Sequence, residues 1–183
     1  GESELTRQLR GDLIRVLGVL GNDEETQAQA RAFYARHREH EGAGDPNILP
    51  AVISIIASVG GEAEYADFLQ RFRSAKTPQE EQRYLFALAA FRDPALITQT
   101  LERTINGEVR NQDAPFLVRS LLSGVYSRGL AWEFVKTHWE TMARTYPGSA
   151  YRRMYEGITA LVSPEWERDV REFFTSRRIE LGG

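Results

Sequence analysis

Apolar residues recur every three or four positions along almost the whole chain, and no segment alternates apolar and polar with a period of two. That pattern confines the fold to packed helices. Leu5, Leu9, Leu13, Val16, Leu17 and Leu20 form the first such stripe, ended by Gly21-Asn22. A helix of this kind is expected to bury its stripe against a neighbour. A second helix is predicted from about Glu24 to Glu41, burying Ala28, Ala32, Phe33 and Tyr34, and ending at the break Gly42–Pro46. Pro50 suits the first turn of a third helix carrying Val52, Ile53, Ile56 and Val59. Gly60-Gly61 ends it, and Tyr65, Phe68, Leu69 and Phe72 mark a fourth.

The later helices announce their starts more openly. Thr77-Pro78-Gln79-Glu80 combines a capping hydroxyl, a proline at the first helical position and a capping-box glutamate. This fifth helix carries Tyr84, Leu85, Leu88 and Phe91. Asp93-Pro94 repeats the device for a sixth with Leu96, Ile97, Leu101 and Ile105, closed by Asn106-Gly107. Residues 111–113 begin a seventh with Phe116, Leu117, Leu121 and Leu122, followed by a loop over 124–129. Leu130 to about Tyr146 is aromatic-rich, with Trp132, Phe134 and Trp139 read as core. Pro147-Gly148 stops it. A ninth helix is expected over Tyr151–Val162, and a tenth from the Ser163-Pro164 cap to about Arg178 with Val170, Phe173 and Phe174 inside.

About ten helices joined by short turns, with pairs starting roughly 30 to 45 residues apart, indicate an all-α superhelix of HEAT or armadillo type in antiparallel pairs. A single globular bundle is the alternative arrangement. With 183 residues, the chain is expected to form one helical-repeat domain over 1–183.

Composition removes several functions. With no cysteine there is no disulfide scaffold, thiolate metal site or cysteine nucleophile. That absence fits a reducing compartment and favours a cytoplasmic setting, as does the lack of a visible signal segment. A net charge of −3 provides no basic field for nucleic acid. The longest apolar run, 48–59, holds Pro50 and is too short to span a membrane. Basic charge is nearly all arginine, Lys76 and Lys136 being the lysines. The chain starts at Gly1 rather than Met, which suggests a cut or processed polypeptide.

No catalytic pattern is present. His37-Arg38-Glu39-His40 is neither H-E-x-x-H nor H-x-x-E-H, and reads as the solvated end of the second helix, with adventitious metal binding as the alternative. His138 has no nucleophile context and reads as structural. Gly60-Gly61 and Gly182-Gly183 match no phosphate-binding loop. Acidic runs at 23–25 and 80–81 sit where a helix dipole favours them.

Five stretches carry a resemblance. They are LRGDLIRVLGVLGNDEETQAQARAFY (9–34), YLFALAAFRDPALITQTLE (84–102), VRNQDAPFLVRSLLSG (109–124), GLAWEFVKTHWETMARTY (129–146) and VREFF (170–174). Together they resemble the C-terminal helical domain of zinc metallopeptidases of the aminopeptidase N type, which include puromycin-sensitive and endoplasmic-reticulum aminopeptidases. Within the family pattern V-R-x-Q-D and L-A-W-x-F-x-x-x-x-W, Arg110, Gln112, Asp113, Leu130, Ala131, Trp132, Phe134 and Trp139 match in place. The family's G-x-M-E-N and H-E-x-x-H motifs are missing from this sequence. The family usually continues past the Phe-Phe helix, whereas this chain stops at Gly183.

The resemblance therefore implies an excised part of a larger domain. It has no catalytic, cofactor-binding or metal residue of its own, and zinc belongs to an upstream catalytic domain of the same polypeptide. It implies a bowl that covers the active-site cavity, gates entry and meets the peptide substrate. Arg119, Tyr126 and Arg128 are the candidate contacts to that peptide. For the two arginines, a surface role with a local carboxylate partner is the favoured reading. Asp113 or Asn111 is expected to cap the seventh helix, and Arg110 to form an internal salt bridge. A free-standing interaction module and an independent enzyme are the competing functional readings.

Overall fold

The computed structural model describes residues 3–40 and 44–177, and all regular structure among them is helical. Ten α-helices run in order: α1 Glu4–Arg15, α2 Glu24–Glu39, α3 Leu49–Val59, α4 Glu62–Arg73, α5 Pro78–Ala87, α6 Pro94–Arg103, α7 Ala114–Ser123, α8 Arg128–Thr145, α9 Gly148–Tyr155 and α10 Pro164–Ser176. α1 continues as a π-helical turn, Val16–Leu20. α5 and α9 tighten into 3₁₀ turns, Leu88–Ala90 and Glu156–Ala160. The expected ends of the second and tenth helices at Glu41 and Arg178, the break at Gly42, and the Gly182-Gly183 tail fall outside the described residues. The chain divides into two compact units, Gly1–Leu96 and Ile97–Gly183.

The first unit is organised round α3. Leu49, Ala51, Val52, Ile53, Ile55, Ile56, Ala57 and Ser58 are all buried, so all of its circumference but the face of Pro50 and Ser54 is turned inward. Such a helix is stable only in an interior, and α1, α2, α4 and α5 all pack on it. Phe68 of α4 is fully buried, with its ring edge-to-face on Tyr34, Tyr84 and Phe91. Pairs of this geometry add to the area they bury.

Helix starts follow the sequence signals. Thr77 accepts from the Glu80 amide at 3.2 Å, Asp93 from the Ala95 amide at 2.7 Å and Ser163 from the Trp166 amide at 3.2 Å. Glu80 accepts from the Lys76 amide, one residue upstream of the cap itself.

Four expectations need correction. The stripe Leu5, Leu9, Leu13, Val16, Leu17 and Leu20 is exposed along its whole length, from 42 % at Val16 to 78 % at Leu20. The residues that α1 and its π turn bury are Gly11 and Gly18. At about 100° per residue these two lie on the side opposite the leucines. A Cβ on Gly11 would stand 2.8 Å from the Asn47 carbonyl oxygen, and one on Gly18 would stand 2.6 Å from Ile55 Cδ1. Glycine thus lets the α1 backbone approach α3 more closely than any leucine could, and the leucines face away.

The π turn frees carbonyls that side chains then satisfy. Gln27 donates to the Gly18 oxygen at 3.0 Å, and Arg92 to the Val19 oxygen at 3.2 Å. Asn22 takes the left-handed conformation, φ 50°, that ends the segment.

In α2 the buried residues are Ala30 and Tyr34; Ala28 and Ala32 face solvent and Phe33 is half-buried. Tyr34 sets this phase, because its hydroxyl donates to Asp67 of α4 at 2.5 Å. Burial and that carboxylate raise the Tyr34 pKa. Arg71 stacks over the rings of both Tyr34 and Tyr84 and bonds Asp67 at 3.3 Å.

In the second unit, Trp132 and Trp139 are core but Phe134 is only half-buried. Phe134 lies about 200° round the helix from Trp132 and packs on the His138 ring at 4.3 Å. His138 has non-helical dihedrals, φ −106° and ψ 15°, and α8 bends there. Phe116, expected inside the seventh helix, sits at the surface with 36 % exposure.

The seat of α1 gives a sharp test. Propensity alone favours alanine over glycine within a helix by about 1 kcal/mol. At Gly11 the backbone contact reverses the sign, since overpacking costs about 1–3 kcal/mol. Gly11→Ala is expected to lower stability in urea unfolding, while Gly148→Ala, with nothing within 4 Å of its Cβ, leaves it unchanged or raises it.

Candidate functional site

The residues singled out from the sequence fall into three places in the second unit. Arg110, Gln112 and Asp113 stand at the start of α7. Trp132 and Trp139 line the core of α8. Arg119, Tyr126 and Arg128 gather near the turn between α7 and α8.

That turn, residues 124–127, is firmly held. Ser127 is buried, and its hydroxyl donates to the Leu121 oxygen at 2.6 Å. The Arg128 amide donates to the Gly124 oxygen at 2.9 Å. The Arg128 guanidinium donates to two carbonyls, Gly124 at 3.2 Å and Ala160 at 2.7 Å. Gly124 has no room for a Cβ, which would meet Ser127 Oγ. Gly157 likewise allows the 3₁₀ turn to touch α7, where a Cβ would stand 2.8 Å from the Arg119 oxygen.

Arg119 pairs with Glu156 at 2.9 Å, and Arg153 takes the other oxygen of the same carboxylate at 3.1 Å. Both candidate arginines are therefore engaged inside the chain: Arg128 clasps two backbone segments and Arg119 faces a carboxylate. Tyr126 is the member of the trio that projects outward, 59 % exposed, beside Val125 at 74 %. Val162 is 76 % exposed, two residues beyond the Ala160 carbonyl that Arg128 holds. Sequence reading missed Val125 and Val162. Val162 sits just before the Ser163 cap, a position where an apolar residue normally staples inward, so nothing in its spacing marks it as a surface residue.

At the start of α7, Arg110 Nε donates to Asp113 at 3.0 Å, the expected salt bridge. Asp113 occupies the cap position, but its side chain makes no capping bond. Its carboxylate turns to Arg110, and its backbone oxygen takes the Phe116 and Leu117 amides instead. Gln112 is exposed.

Trp132 is fully buried, and its indole N–H donates to Asp169 of α10 at 2.6 Å. Lys136 donates to the same oxygen at 2.7 Å and also pairs with Glu133 at 2.9 Å. Phe173 packs edge-to-face on Trp132 and Trp139, and Trp139 stacks on Tyr155. Asp169 thus anchors α10 to α8 at the polar rim of an aromatic core. Its partner lies 37 positions away in sequence, so no local pattern announced it. His37 stacks on Tyr34, and His40 closes α2. Among the described residues no group of three or more His, Cys, Asp or Glu comes together to hold a metal ion.

Comparison with known proteins gives this arrangement a setting. The model of the ERAP1-like C-terminal domain matches residues 1–182. The chain belongs to the ERAP1-like C-terminal domain family. Aminopeptidase M1 of Arabidopsis thaliana is 32% identical over 190 residues, covering 97% of this chain and 21% of that protein. Probable aminopeptidase 2 of Sulfurisphaera tokodaii is 32% identical over 136 residues, covering 74% and 17%. Human aminopeptidase N is 28% identical over 140 residues, covering 75% and 14%. This ERAP1-like domain spans about a fifth of the length of the curated relatives it matches. Among its described residues, no helix is long and apolar enough to cross a membrane.

The Asp169 anchor carries a pH dependence. Its hydrogen bond from Lys136, with a further one from Trp132, holds the carboxyl below its usual range against the opposing effect of burial. A depressed folded-state pKa contributes stability above the unfolded value near 4, which is lost as pH falls through the folded value. Asp169→Asn is expected to flatten the decline of stability below about pH 4, read as urea midpoints from pH 6 to pH 2.

Proposed function

We propose that this chain is the non-catalytic C-terminal cap of a zinc aminopeptidase, covering the active-site cavity of an upstream catalytic domain and positioning peptide substrates. The observation that carries the reading is the match over residues 1–182 to a domain whose relatives are named aminopeptidases and are about five times as long. The sequence contains neither the exopeptidase nor the zinc-binding motif of such enzymes. Zinc chemistry is accordingly assigned to the catalytic domain, and no step of it to these residues.

The turn at 124–127 supports a positioning role. A loop that meets a mobile ligand works best when its own backbone is already ordered, because no ordering entropy remains to be lost on contact. Ser127 and Arg128 supply that order through four hydrogen bonds. Val125 and Tyr126 are left outward. An exposed aromatic with a polar tip suits peptide backbone and side chain alike. Arg119 and Arg128 act in this reading by holding the loop and its neighbouring turn.

The test uses the full-length enzyme. Tyr126→Ala is expected to raise KM for peptides of about ten residues several-fold while leaving turnover of a single-residue arylamide unchanged. Because the side chain is exposed, the variant should fold normally. Equal effects on both substrates, or none on either, would count against the cap. So would zinc-dependent, chelator-sensitive turnover by the 183-residue chain alone.

A further inference from the structure

We infer that Asn106, in the turn between α6 and α7, is a self-modifying site: without any enzyme, its side-chain amide closes on Gly107 into a cyclic imide that water opens to aspartate and isoaspartate. The inference does not rest on the reading of the chain as a cap. It is carried by the Asn-Gly pair at 106–107 and by the geometry the fold gives that pair.

The reaction needs a main-chain nitrogen able to reach the side-chain carbonyl carbon of the residue before it. Both residues are exposed, Gly107 has φ 89°, and nothing lies within 4 Å of where its Cβ would stand. With no side chain on glycine, nothing shields the nitrogen. Among the described residues no acceptor holds the Gly107 amide proton, so no hydrogen bond is lost when hydroxide removes it. The fold also supplies a donor. The Glu108 amide donates to Asn106 Oδ1 at 2.9 Å, the local turn that asparagine forms with the residue two positions on. Negative charge gathers on that oxygen as nitrogen adds to Cγ, and a donor already aimed at it stabilises the adduct.

The atoms balance with water as the co-reactant. The Gly107 nitrogen, its proton lost to hydroxide, forms a bond to Asn106 Cγ. The adduct collapses by breaking the bond from Cγ to the side-chain nitrogen, which leaves as ammonia with a proton from water. Water then opens the ring. Opening at Cγ restores the main chain and leaves aspartate. Opening at the main-chain carbonyl of residue 106 leaves isoaspartate, with the chain routed through the former side chain.

Asn22, Asn47 and Asn111 are placed otherwise. Asp23, Ile48 and Gln112 follow them and set a side chain beside the attacking nitrogen. Gln27 also donates to Asn22 Oδ1 at 3.1 Å, and Asp45 holds the Asn47 side-chain nitrogen at 2.9 Å. The product has a structural consequence. Arg103 closes the turn twice, its carbonyl accepting from the Val109 amide at 3.2 Å and its guanidinium pairing with Glu108 at 2.6 Å. Val109 is buried. Isoaspartate inserts an extra main-chain atom into that closed loop, and either product adds a carboxylate beside Glu108. Both loosen the joint through which α6 leads into α7.

The test holds the folded 183-residue chain and the full-length enzyme at physiological temperature, from neutral to mildly alkaline pH. Peptide mass mapping follows imide and acid at each asparagine, and an isoaspartate-specific methyltransferase counts isoaspartate. The expected result, in both proteins, is conversion at Asn106 several-fold faster than at Asn22, Asn47 or Asn111, rising with hydroxide concentration. Gly107→Ala should slow it several-fold. Because alanine is strained at φ 89°, Asn106→Gln serves as the second variant: it keeps the backbone but forms the ring far less readily, and should abolish the signal. Urea midpoints before and after ageing should fall for the parent chain and hold for Asn106→Gln. An amide that persists at 106 in either folded protein, or converts only in urea, overturns the inference. So does an unchanged rate in Gly107→Ala. A midpoint unmoved by full conversion overturns the loosening of the turn.

Discussion

A helix with aliphatic side chains round most of its circumference has nowhere to go but inside, and α3, open only along Pro50 and Ser54, imposes that requirement on everything near it. Four helices, α1, α2, α4 and α5, satisfy it. Each meets α3 by different means: α1 with bare backbone, and α4 with a row of rings centred on Phe68. Hydrophobic burial supplies the drive, at about 25 cal/mol per Å² of apolar surface, but it is indifferent to direction. Direction comes from the polar contacts at the edge: Tyr34 on Asp67, Gln27 on Gly18, Arg92 on Val19.

The second unit solves the same problem with aromatics. Trp132, Trp139 and Phe173 fill the space, and Asp169 fixes which way α10 lies across it by taking the indole proton. The bend at His138 separates the two tryptophans' halves of α8. The first half grips α10 through Trp132 and Lys136, and the second meets α9 through the stack of Trp139 on Tyr155.

Local chemistry was legible in the sequence, and long-range choice was not. The caps at Thr77, Asp93 and Ser163 could be read because a hydroxyl or carboxylate needs only the next turn of its own helix. The leucine stripe of α1 was visible as a stripe. Which side of α1 would dock was decided by Asn47 and Ile55, far along the chain, against Gly11 and Gly18. The phase of α2 turned on Tyr34 finding Asp67, 33 positions on. Periodicity weights every apolar residue alike, and so it placed Ala28, Ala32 and Phe134 inside. The loop read over 124–129 is a turn of 124–127 in the structure, because α8 already starts at Arg128. The duties of Arg119 and Arg128 depended on Glu156 and the Ala160 carbonyl, which no spacing rule connects to them. The family resemblance succeeded where periodicity stopped, because it draws on the order of many residues rather than on any one contact.

The seat of Gly11 has a consequence for how the chain can vary. Asn47, on which it rests, is itself pinned: its amide and its side-chain nitrogen both donate to Asp45 Oδ1 at 2.9 Å. At Gly11 the height of α1 above its neighbour is therefore set by main chain on main chain, not by the bulk of interchangeable side chains. Substitutions that repack the interior of the first unit leave that spacing nearly untouched. The inner layer is free to drift in sequence while the outer ridge of leucines keeps its position, so the two surfaces of α1 can evolve under separate constraints.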